Sequence, residues 1–444
     1  MTLIRGAALL ALLSGAAQAQ STGRIAFDTY ALPNGLRVVF SEDHSAPVVT
    51  VNVWYHVGSA NEVTRRSGFA HLFEHMMFQG SANVRKAEHF QLIERAGGDM
   101  NGTTNDDRTN YYETLPSNRL NLGLWLEADR MRSLAITAEN FENQRQAVKE
   151  ERRLRFDNQP YSNAFLAGLT MPFDSSGCFS YAHTVIGDMA DLDSARLEDV
   201  QDFFTRYYAP NNAVLTVAGD FDPAEARTLI EQYFGAIPRG REVGQPSCNI
   251  RYGAGARRMA VTDNNANLPA VLYIYPVPGR SSPDVPALDL LMTILGGGES
   301  SRLNRSLVRE ARAALGAGGF FQMRAGPGVV LVFAIANQNV TSERVDSLMN
   351  AEVERLRGGG LEATELTKSQ NQYRAGAIRN RETTMGVAET LQSALRYLGS
   401  LEAANTDVNR YLSVTIDDLR RVARQYLAPE NRTTVIVNPP ARGN

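Results

Sequence analysis

Two histidines and a glutamate interrupt an apolar segment at residues 68–78, and this segment restricts the possible folds more than any other part of the sequence. His71, Glu74 and His75 stand at positions i, i+3 and i+4, so they share one face if the segment is helical. Their neighbours are leucine, phenylalanine and methionine, which predict that the rest of the helix is buried. Two imidazoles and a carboxylate are costly in such surroundings unless they are paired or bound to a metal. The fold must therefore bring polar partners or a metal ion to this face.

Chance is a poor explanation for this spacing. The sequence has six histidines in 444 residues, which gives about 0.08 expected pairs four residues apart, and about 0.005 with a glutamate at one inner position. Two neutral imidazoles four residues apart on a helix can hold one divalent metal. A carboxylate one turn from His71 is close enough to take a proton from a water molecule on that metal. The pattern predicts a catalytic metal site rather than two surface histidines with an incidental glutamate.

The third metal ligand must come from elsewhere in the sequence. Catalytic zinc usually has three protein ligands and a water molecule, yet no cysteine is near the motif and the remaining histidines stand in no comparable pattern. A distal carboxylate is therefore expected from a predicted charged helix over residues 139–156. The candidates on it are Glu139, Glu142, Glu150 and Glu151. The residues by themselves leave the choice open, and Glu151 has a competing interpretation as a solvated pair with Arg155.

Length and hydrophobic patterning predict two domains of mixed structure. A chain of 444 residues exceeds one domain of about 150 to 200 residues. Predicted strands followed by groups of helices occur twice, on either side of a stretch near 237–247 where proline and glycine break every periodic pattern. We expect an α+β fold with two homologous domains of the α/β-sandwich type, residues 20–240 and 248–444, joined by a linker over 241–247. Each should have a mostly antiparallel sheet with helices packed on one face.

The balance of charge argues against a nucleic-acid partner. Lysine and arginine number 45, aspartate and glutamate number 48, and the net charge is -3. Proteins that bind nucleic acids neutralise phosphates with a clear excess of cations, often in one run or patch. No such run occurs in the sequence.

The first nineteen residues have the form of a secretory signal peptide. They contain a positive charge at Arg5, a short apolar stretch, and a small-x-small sequence at 17–19. We expect export, into a periplasm, without a membrane anchor, because no later stretch reaches the roughly 20 apolar residues that span a bilayer. Export permits disulfides, and Cys178 and Cys248 allow one. The alternative is two buried thiols, since a chain of this size needs no cross-link to fold.

The motif and its flanks resemble the pitrilysin family of zinc peptidases, which includes insulin-degrading enzyme and the mitochondrial processing peptidase. The order His-x-x-Glu-His is the inverted zinc motif of the inverzincins. The resemblance covers most of the chain after the signal peptide, strongly in the first half and loosely in the second. Its further matching positions are Gly58-Ser59, residues 68–81, Asn101, Tyr111-Tyr112, residues 148–151, Asn211-Asn212 and Gly219-Asp220.

The resemblance implies a metallopeptidase with one zinc ion per chain, held by His71, His75 and Glu151. In the family the third ligand is a glutamate roughly 75 to 77 residues after the second motif histidine. Glu151 stands 76 residues after His75 and aligns as the acidic residue just before the Arg-rich turn, with Glu150 as the alternative register. By the same resemblance, Glu74 is the general base that activates a zinc-bound water.

The implied substrates are extended peptides or unfolded segments, with Asn101 on the sheet-edge strand that would pair with them. Two positions depart from the family pattern. Gln144 stands where many active relatives have an auxiliary glutamate, and an amide cannot share a proton or a negative charge. Arg309 stands where active single-chain relatives have a substrate-binding arginine, but Gly316 replaces the tyrosine seven residues later. A charge on a helix surface is the alternative role for Arg309.

With these departures, the chain resembles the zinc-bearing subunit of a two-subunit enzyme. In some relatives the zinc motif and the Arg/Tyr pair are divided between two homologous subunits. We expect weak activity from this chain alone and full activity in a heterodimer with a homologous subunit that carries the pair. Self-association of this chain is the alternative. The competing hypothesis is a non-catalytic scaffold or assembly subunit that keeps the peptidase fold. The complete set of motif residues favours the enzyme, because a scaffold needs no general base beside a metal.

Overall fold

The computed structural model describes residues 23–175, 177–248, 250, 252–253 and 255–441. The predicted signal peptide and its cleavage site lie outside the described residues. The strands are β1 (Asp28–Ala31), β2 (Arg37–Glu42), β3 (Val48–Tyr55), β4 (Asp99–Thr104), β5 (Thr109–Pro116), β6 (Ala213–Gly219), β7 (Arg257–Thr262), β8 (Ala270–Val277), β9 (Ala314–Gln322), β10 (Gly328–Ala336) and β11 (Thr433–Asn438).

The α-helices are α1 (Phe69–Met76), α2 (Glu88–Arg95), α3 (Leu120–Ser133), α4 (Ala138–Arg152), α5 (Ser162–Thr170), α6 (Met189–Ser194), α7 (Leu197–Tyr207), α8 (Pro223–Phe234), α9 (Val285–Gly296), α10 (Ser342–Arg357), α11 (Ala363–Arg379), α12 (Thr384–Leu398), α13 (Ala403–Leu412) and α14 (Ile416–Tyr426). One turn of π-helix, Arg153–Asp157, continues α4, and a second π-helical segment spans Asn304–Glu310.

The first sheet has the strand order β1-β2-β6-β3-β5-β4. β2 and β6 are parallel, and the other neighbours are antiparallel. Side chains alternate across β3, as the pleat of a strand requires. Val49, Val51 and Val53 belong to the core beneath α1 and α3, while Asn52 and Trp54 point to the opposite face, toward α12. Both faces of the sheet are therefore covered.

The second sheet, with the order β7-β11-β8-β10-β9, repeats the plan of the first. β7 and β11 are parallel and the remaining pairs are antiparallel. With β1 set aside, the strands of the two sheets correspond one to one in chain order, in position and in direction. Tyr273 and Tyr275 of β8 pack with α9, α10 and α14, while Leu272 and Ile274 belong to a core on the other face.

Each half sends one helix onto the sheet of the other half. Leu391 and Ala394 of α12 pack against Val39 of β2 and Val214 of β6. In return α5 lies on the second sheet, where its Phe165 ring meets Phe333 of β10 edge-on at 5.0 Å between centroids. The exchanged helices bury apolar surface between the halves, so the halves brace one another.

The α+β fold with two sheets, each mostly antiparallel, is confirmed. Each half packs its own helices on one face of its sheet, as expected, and the opposite face is covered by a helix of the other half. The chain between α8 and β7 contains the predicted linker and no regular element among its described residues, and the proposed domain boundary there stays a prediction. The sequence predictions did not include α5 and α12. Each of these helices buries its apolar face against a sheet that is distant in sequence. The neighbouring residues therefore do not indicate where the helix packs.

Cys178 and Cys248 form a disulfide, with their Cα atoms 4.7 Å apart. The bond joins the segment after α5 to Cys248, the residue that follows the predicted linker. Of the two outcomes that the sequence allowed, the structure has the cross-link rather than two buried thiols. In the part of the chain that the structure describes, no helix is long and apolar enough to cross a bilayer.

Candidate metal centre

The helix that carries the motif begins at a point where only glycine fits well. Gly68, the N-cap of α1, has a φ of 85°, and a Cβ added to it would lie 2.9 Å from the Cα of Gly187. Glycine adopts this left-handed conformation without steric cost and allows the close approach of the two backbones. After Gly68, the side chains of Phe69, Leu72 and Phe73 are buried in the first core. This burial fixes the rotation of α1 and directs its polar face outward from the core.

That polar face meets the C-terminal end of α4. Nε2 of His71 lies 3.6 Å, and Nε2 of His75 3.2 Å, from Oε2 of Glu151. One ligand atom from each of the three residues falls within 4.8 Å of the others. Oε1 of Glu151 pairs with Arg155 at 2.9 Å. The structure thus brings together the three residues expected to bind zinc, and the pair with Arg155 coexists with that arrangement.

The protonation states suit a divalent metal. Burial, with the neighbouring His75 ring, lowers the pKa of His71 to about 4, so His71 is neutral at pH 7. A hydrogen bond from His75 outweighs burial and lowers the pKa of Glu151, which stays ionised. Metal ligands must be deprotonated, and two imidazole nitrogens with one carboxylate oxygen form a donor set typical of catalytic zinc. The residues present therefore fit the metal that the motif implies.

Glu74 lies one turn from His71 and faces the edge strand β4. Burial raises the pKa of Glu74, and a hydrogen bond from the Thr104 hydroxyl partly opposes that rise. A Cβ on Gly102 would lie 3.3 Å from Cγ of Glu74, so the absence of a side chain there leaves room for the carboxylate. A carboxyl group with a raised pKa binds a proton more readily than usual, which suits a general base.

Thr104 and Gly102 were missed by the sequence predictions. They stand two residues apart on β4, so the alternation of a strand places both toward α1. Neither residue type indicates chemistry by itself, and only the position of β4 beside α1 gives them a role. A strand prediction through this stretch could have placed them on one face.

Asn101, the expected substrate-contacting residue, lies on β4 at the edge of the first sheet. Its side chain alternates with Gly102 and therefore points to the face away from α1. There its Oδ1 accepts a hydrogen bond from the Gly102 amide at 2.8 Å, and Tyr112 of β5 is also a partner. The backbone of β4, rather than the Asn101 amide group, lies beside Glu74.

The other predicted positions do not join the cluster. Glu150 is paired with Arg153 at 3.1 Å, and its side chain is 56% exposed. Gln144 is buried on α4 and donates to Asn143 at 2.8 Å. Arg309 belongs to the π-helical segment of the second half and pairs with an exposed glutamate at 3.0 Å. Nothing in the described contacts links Arg309 to His71, His75 or Glu151.

Comparison with family models finds two matches. A model described as insulinase, peptidase family M16, matches residues 37–167. A model described as the peptidase M16 inactive domain matches residues 194–373. The first match contains all four residues of the candidate centre, and the second begins near α6 and includes most of the second half.

Similar proteins extend along nearly the whole chain. The zinc protease PqqE of Helicobacter pylori is 31% identical over 416 residues, which covers 93% of this chain and 93% of that protein. An uncharacterized zinc protease of Mycobacterium leprae is 28% identical and covers 89% of this chain and 88% of its own length.

Solved structures agree with the fold. The crystal structure of a protease from Helicobacter pylori has a TM-score of 0.88 and 31% identity and covers 94% of this chain and 100% of that chain. The first half of the periplasmic protease PqqL from Escherichia coli has a TM-score of 0.73 at 19% identity and covers 93% of this chain and 91% of that chain. At that identity, the likeness to PqqL concerns the fold.

Proposed function

The chain belongs to peptidase family M16, and on that premise we propose that it is a zinc-dependent endopeptidase of extended peptides or unfolded segments. The observation that carries the proposal is the approach of His71 and His75 on α1 to one oxygen of Glu151 on α4. Glu74 stands on the same helix as the two histidines, at the position that a general base requires.

His71, His75 and Glu151 are the residues that would hold one zinc ion. When bound, zinc would polarise the scissile carbonyl and would lower the pKa of water at the site toward about 7. Glu74 takes a proton from the attacking water and passes it to the leaving amine nitrogen. Its burial beside Gly102 and Thr104 keeps the carboxylate in place for both transfers.

The substrate binds in the extended form along β4. This strand is at an edge of the first sheet, so a peptide can add to it as a further strand, and it contains Gly102 and Thr104 beside Glu74. Backbone pairing holds a peptide without reading much of its sequence. Asn101 contributes through its place on this strand, since its side chain lies on the far face.

A second subunit completes the enzyme. Arg309 is paired with Glu299 and is 55% exposed, and Gly316 stands where the resemblance implies a tyrosine. We therefore include in the proposal a heterodimer with a homologous subunit that carries the Arg/Tyr pair. Self-association is the alternative, although a second copy of this chain also has Gly316.

The competing function is a non-catalytic scaffold, and one observation favours it. The second half matches a family model described as an inactive domain. That match lies outside residues 71–151, which contain the candidate ligands and Glu74. An inactive second half beside a complete centre in the first half is compatible with an enzyme, so the peptidase remains the better supported function.

The proposed location is the periplasm. The Cys178–Cys248 disulfide is expected to persist in an oxidising compartment, and the structurally similar PqqL is a periplasmic protease. The signal peptide predicted at residues 1–19 supports the same location.

Peptide cleavage by purified protein loaded with zinc tests the function. We expect Glu74→Gln to keep its zinc and to lose about 10²- to 10⁴-fold in kcat/KM on an unstructured peptide. Glu142→Gln is the control, since Glu142 is a half-exposed glutamate on α4 paired with Arg145, and it should leave the rate unchanged.

Two outcomes would count against the proposal. Equal rates in wild type and Glu74→Gln, with or without a homologous subunit carrying the Arg/Tyr pair, would favour the scaffold. Full activity of the chain alone, unchanged by the added subunit and by dilution below any self-association, would remove the second subunit from the proposal and leave the peptidase.

A further inference from the structure

Both ring nitrogens of His183 face oxygen atoms. Nδ1 lies 2.8 Å from the carbonyl oxygen of Phe179, and Nε2 lies 3.0 Å from that of Ser59 and 2.9 Å from Oε2 of Glu62. A carbonyl oxygen only accepts hydrogen bonds, so each nitrogen needs a hydrogen to donate. The imidazole that satisfies all of these contacts is doubly protonated and positively charged.

The partner of His183, Glu62, caps the helix that carries the zinc motif. The Glu62 side chain is fully buried. Its Oε2 accepts from the Gly68 amide and its Oε1 from the Ala70 amide, each at 2.8 Å. The first amides of a helix have no partner within the helix, and a negative charge at this end is favourable. An ionised carboxylate accepts at both oxygens, so these contacts also indicate that Glu62 is charged.

The neutral alternative fits the same contacts less well. If the proton sat on Glu62, the unprotonated Nε2 of His183 would face the Ser59 carbonyl oxygen at 3.0 Å without a hydrogen between them. One Glu62 oxygen would also carry a hydrogen and accept its backbone amide more weakly. Burial raises the pKa of Glu62, and the hydrogen bonds from His183 and from the two backbone amides oppose that rise. The contacts of both partners together favour an ion pair.

The segment 183–193 also reaches the other helix of the centre. The carbonyl oxygen of Gly187 accepts a hydrogen bond from Arg152, the neighbour of Glu151 on α4. Farther along, Asp191 accepts from the amide and hydroxyl of Ser67 at 3.1 and 2.5 Å. One segment thus bridges the start of α1 and the end of α4.

We propose that His183, as an imidazolium paired with Glu62, is a positioning residue for the candidate catalytic helix. It holds the Glu62 carboxylate against the start of α1 and so fixes where the motif side chains stand relative to Glu151. The effect of His183 on zinc affinity rests on the proposed function. The contact of Glu62 with the start of α1 is a property of the metal-free chain and does not depend on that function.

The charge state gives the cap a pH dependence. Burial by itself would lower the pKa of His183, but the Glu62 carboxylate and the two carbonyl groups outweigh it and raise that pKa above its ordinary value. A group of this kind stabilises the fold below its unfolded pKa and loses that contribution as pH rises through the folded pKa. Tyr207 also interacts with Glu62, and its hydroxyl donates to the Asn61 carbonyl oxygen at 2.9 Å. The cap should weaken at alkaline pH.

Amide hydrogen exchange of the metal-free protein at pH 7 tests the cap. His183→Gln keeps one donor nitrogen but carries no charge and cannot donate from two nitrogens on opposite sides, so we expect exchange at Gly68 and Ala70 to be about fivefold faster or more. His44→Gln is the matched control. His44 also contacts two carboxylates, at 2.6 Å each, but it lies just after β2 and makes none of the α1 contacts.

A second measurement needs no variant. The ring ¹⁵N chemical shifts of His183 in the wild-type protein should be those of an imidazolium at pH 7, and a neutral ring would overturn the proposal. Unchanged exchange at Gly68 and Ala70 in folded His183→Gln would overturn it as well.

Zinc affinity, measured by competition with a chelator, tests the last step. We expect about a tenfold weaker affinity in His183→Gln, the size of effect typical of residues that orient metal ligands. Equal affinity in variant and wild type overturns the positioning role. If the wild-type chain binds no zinc, the proposed function fails, while the exchange and ring measurements still decide on the cap.

Discussion

Oε2 of Glu151 lies 3.2 Å from Nε2 of His75, although the two residues stand on different helices. The other oxygen of the same carboxylate pairs with Arg155 at 2.9 Å. The two contacts use different oxygens and do not compete. The pair with Arg155 therefore leaves one oxygen of the carboxylate for the imidazoles and for a metal between them.

The choice between adjacent glutamates on α4 can be tested through metal content. We expect Glu151→Gln to retain about a tenth or less of the zinc bound by the wild type after gel filtration, since it replaces a charged ligand by a neutral amide. Glu150→Gln is the matched control, because Glu150 is paired with Arg153 and mostly exposed. Loss of zinc in Glu150→Gln with retention in Glu151→Gln, measured by plasma mass spectrometry, would reverse the assignment.

Thr104 should set the acidic limb of the pH profile. Its hydroxyl lies within reach of the Glu74 carboxylate and, at 3.4 Å, of Thr109 Oγ1, and the charged carboxylate is the stronger acceptor. The hydrogen bond favours the ionised form of Glu74 and so lowers its pKa, against the larger effect of burial, which raises it. Thr104→Val removes the lowering contribution.

The expected result is a shift of the acidic limb of kcat/KM to higher pH in Thr104→Val, because a general base works only when it is ionised. Thr114→Val is the control, since Thr114 is a threonine of β5 whose hydroxyl contacts that of Thr50 at 2.8 Å. A limb that stays in place in Thr104→Val, or that moves equally in Thr114→Val, would show that the Thr104 hydroxyl does not act on Glu74.

Glu389 of α12 should hold the two halves together. Its Oε1 accepts hydrogen bonds from Asn52 at 2.8 Å, Trp54 at 3.0 Å and Asn110 at 2.9 Å, all three from the first sheet. Glu389→Ala leaves these buried donors without their acceptor, and each such loss costs about 1–3 kcal/mol. We expect the free energy of unfolding to fall by about 2–4 kcal/mol in total.

Denaturant unfolding followed by circular dichroism measures this loss. Glu382→Ala is the control, because Glu382 is an exposed glutamate just before α12. A change below about 0.5 kcal/mol in Glu389→Ala, the range of ordinary surface substitutions, would mean that α12 is held by its apolar contacts alone.

The arrangement of His71, Glu74 and His75 could be predicted because it depends on a single helix. Positions i, i+3 and i+4 share a face in any α-helix, and the apolar neighbours decide which face is buried. The two-sheet α+β fold followed in the same way from strand and helix patterns that repeat along the chain.

Glu151 needed more than local geometry. Adjacent residues on a helix point about 100° apart, so whether Glu150 or Glu151 faces the histidines depends on the rotation of α4 against α1. Long-range packing sets that rotation, and it cannot be predicted from composition. Asn101 shows the same limit, since its strand was predicted to border the site but its side chain lies on the far face.

The sequence by itself determined which residues could share a face, the repeated α+β plan and the chemistry of the motif, because these depend on neighbours a few positions apart. Only the tertiary structure decided that α5 and α12 each pack on the sheet of the other half. It also decided that Glu151 rather than Glu150 contacts the imidazoles, and that His183 holds the Glu62 carboxylate at the start of α1. Such pairings join residues far apart in the chain. They form only when the packing of whole helices and sheets, which buries far more surface than any single contact, has fixed their distance and rotation.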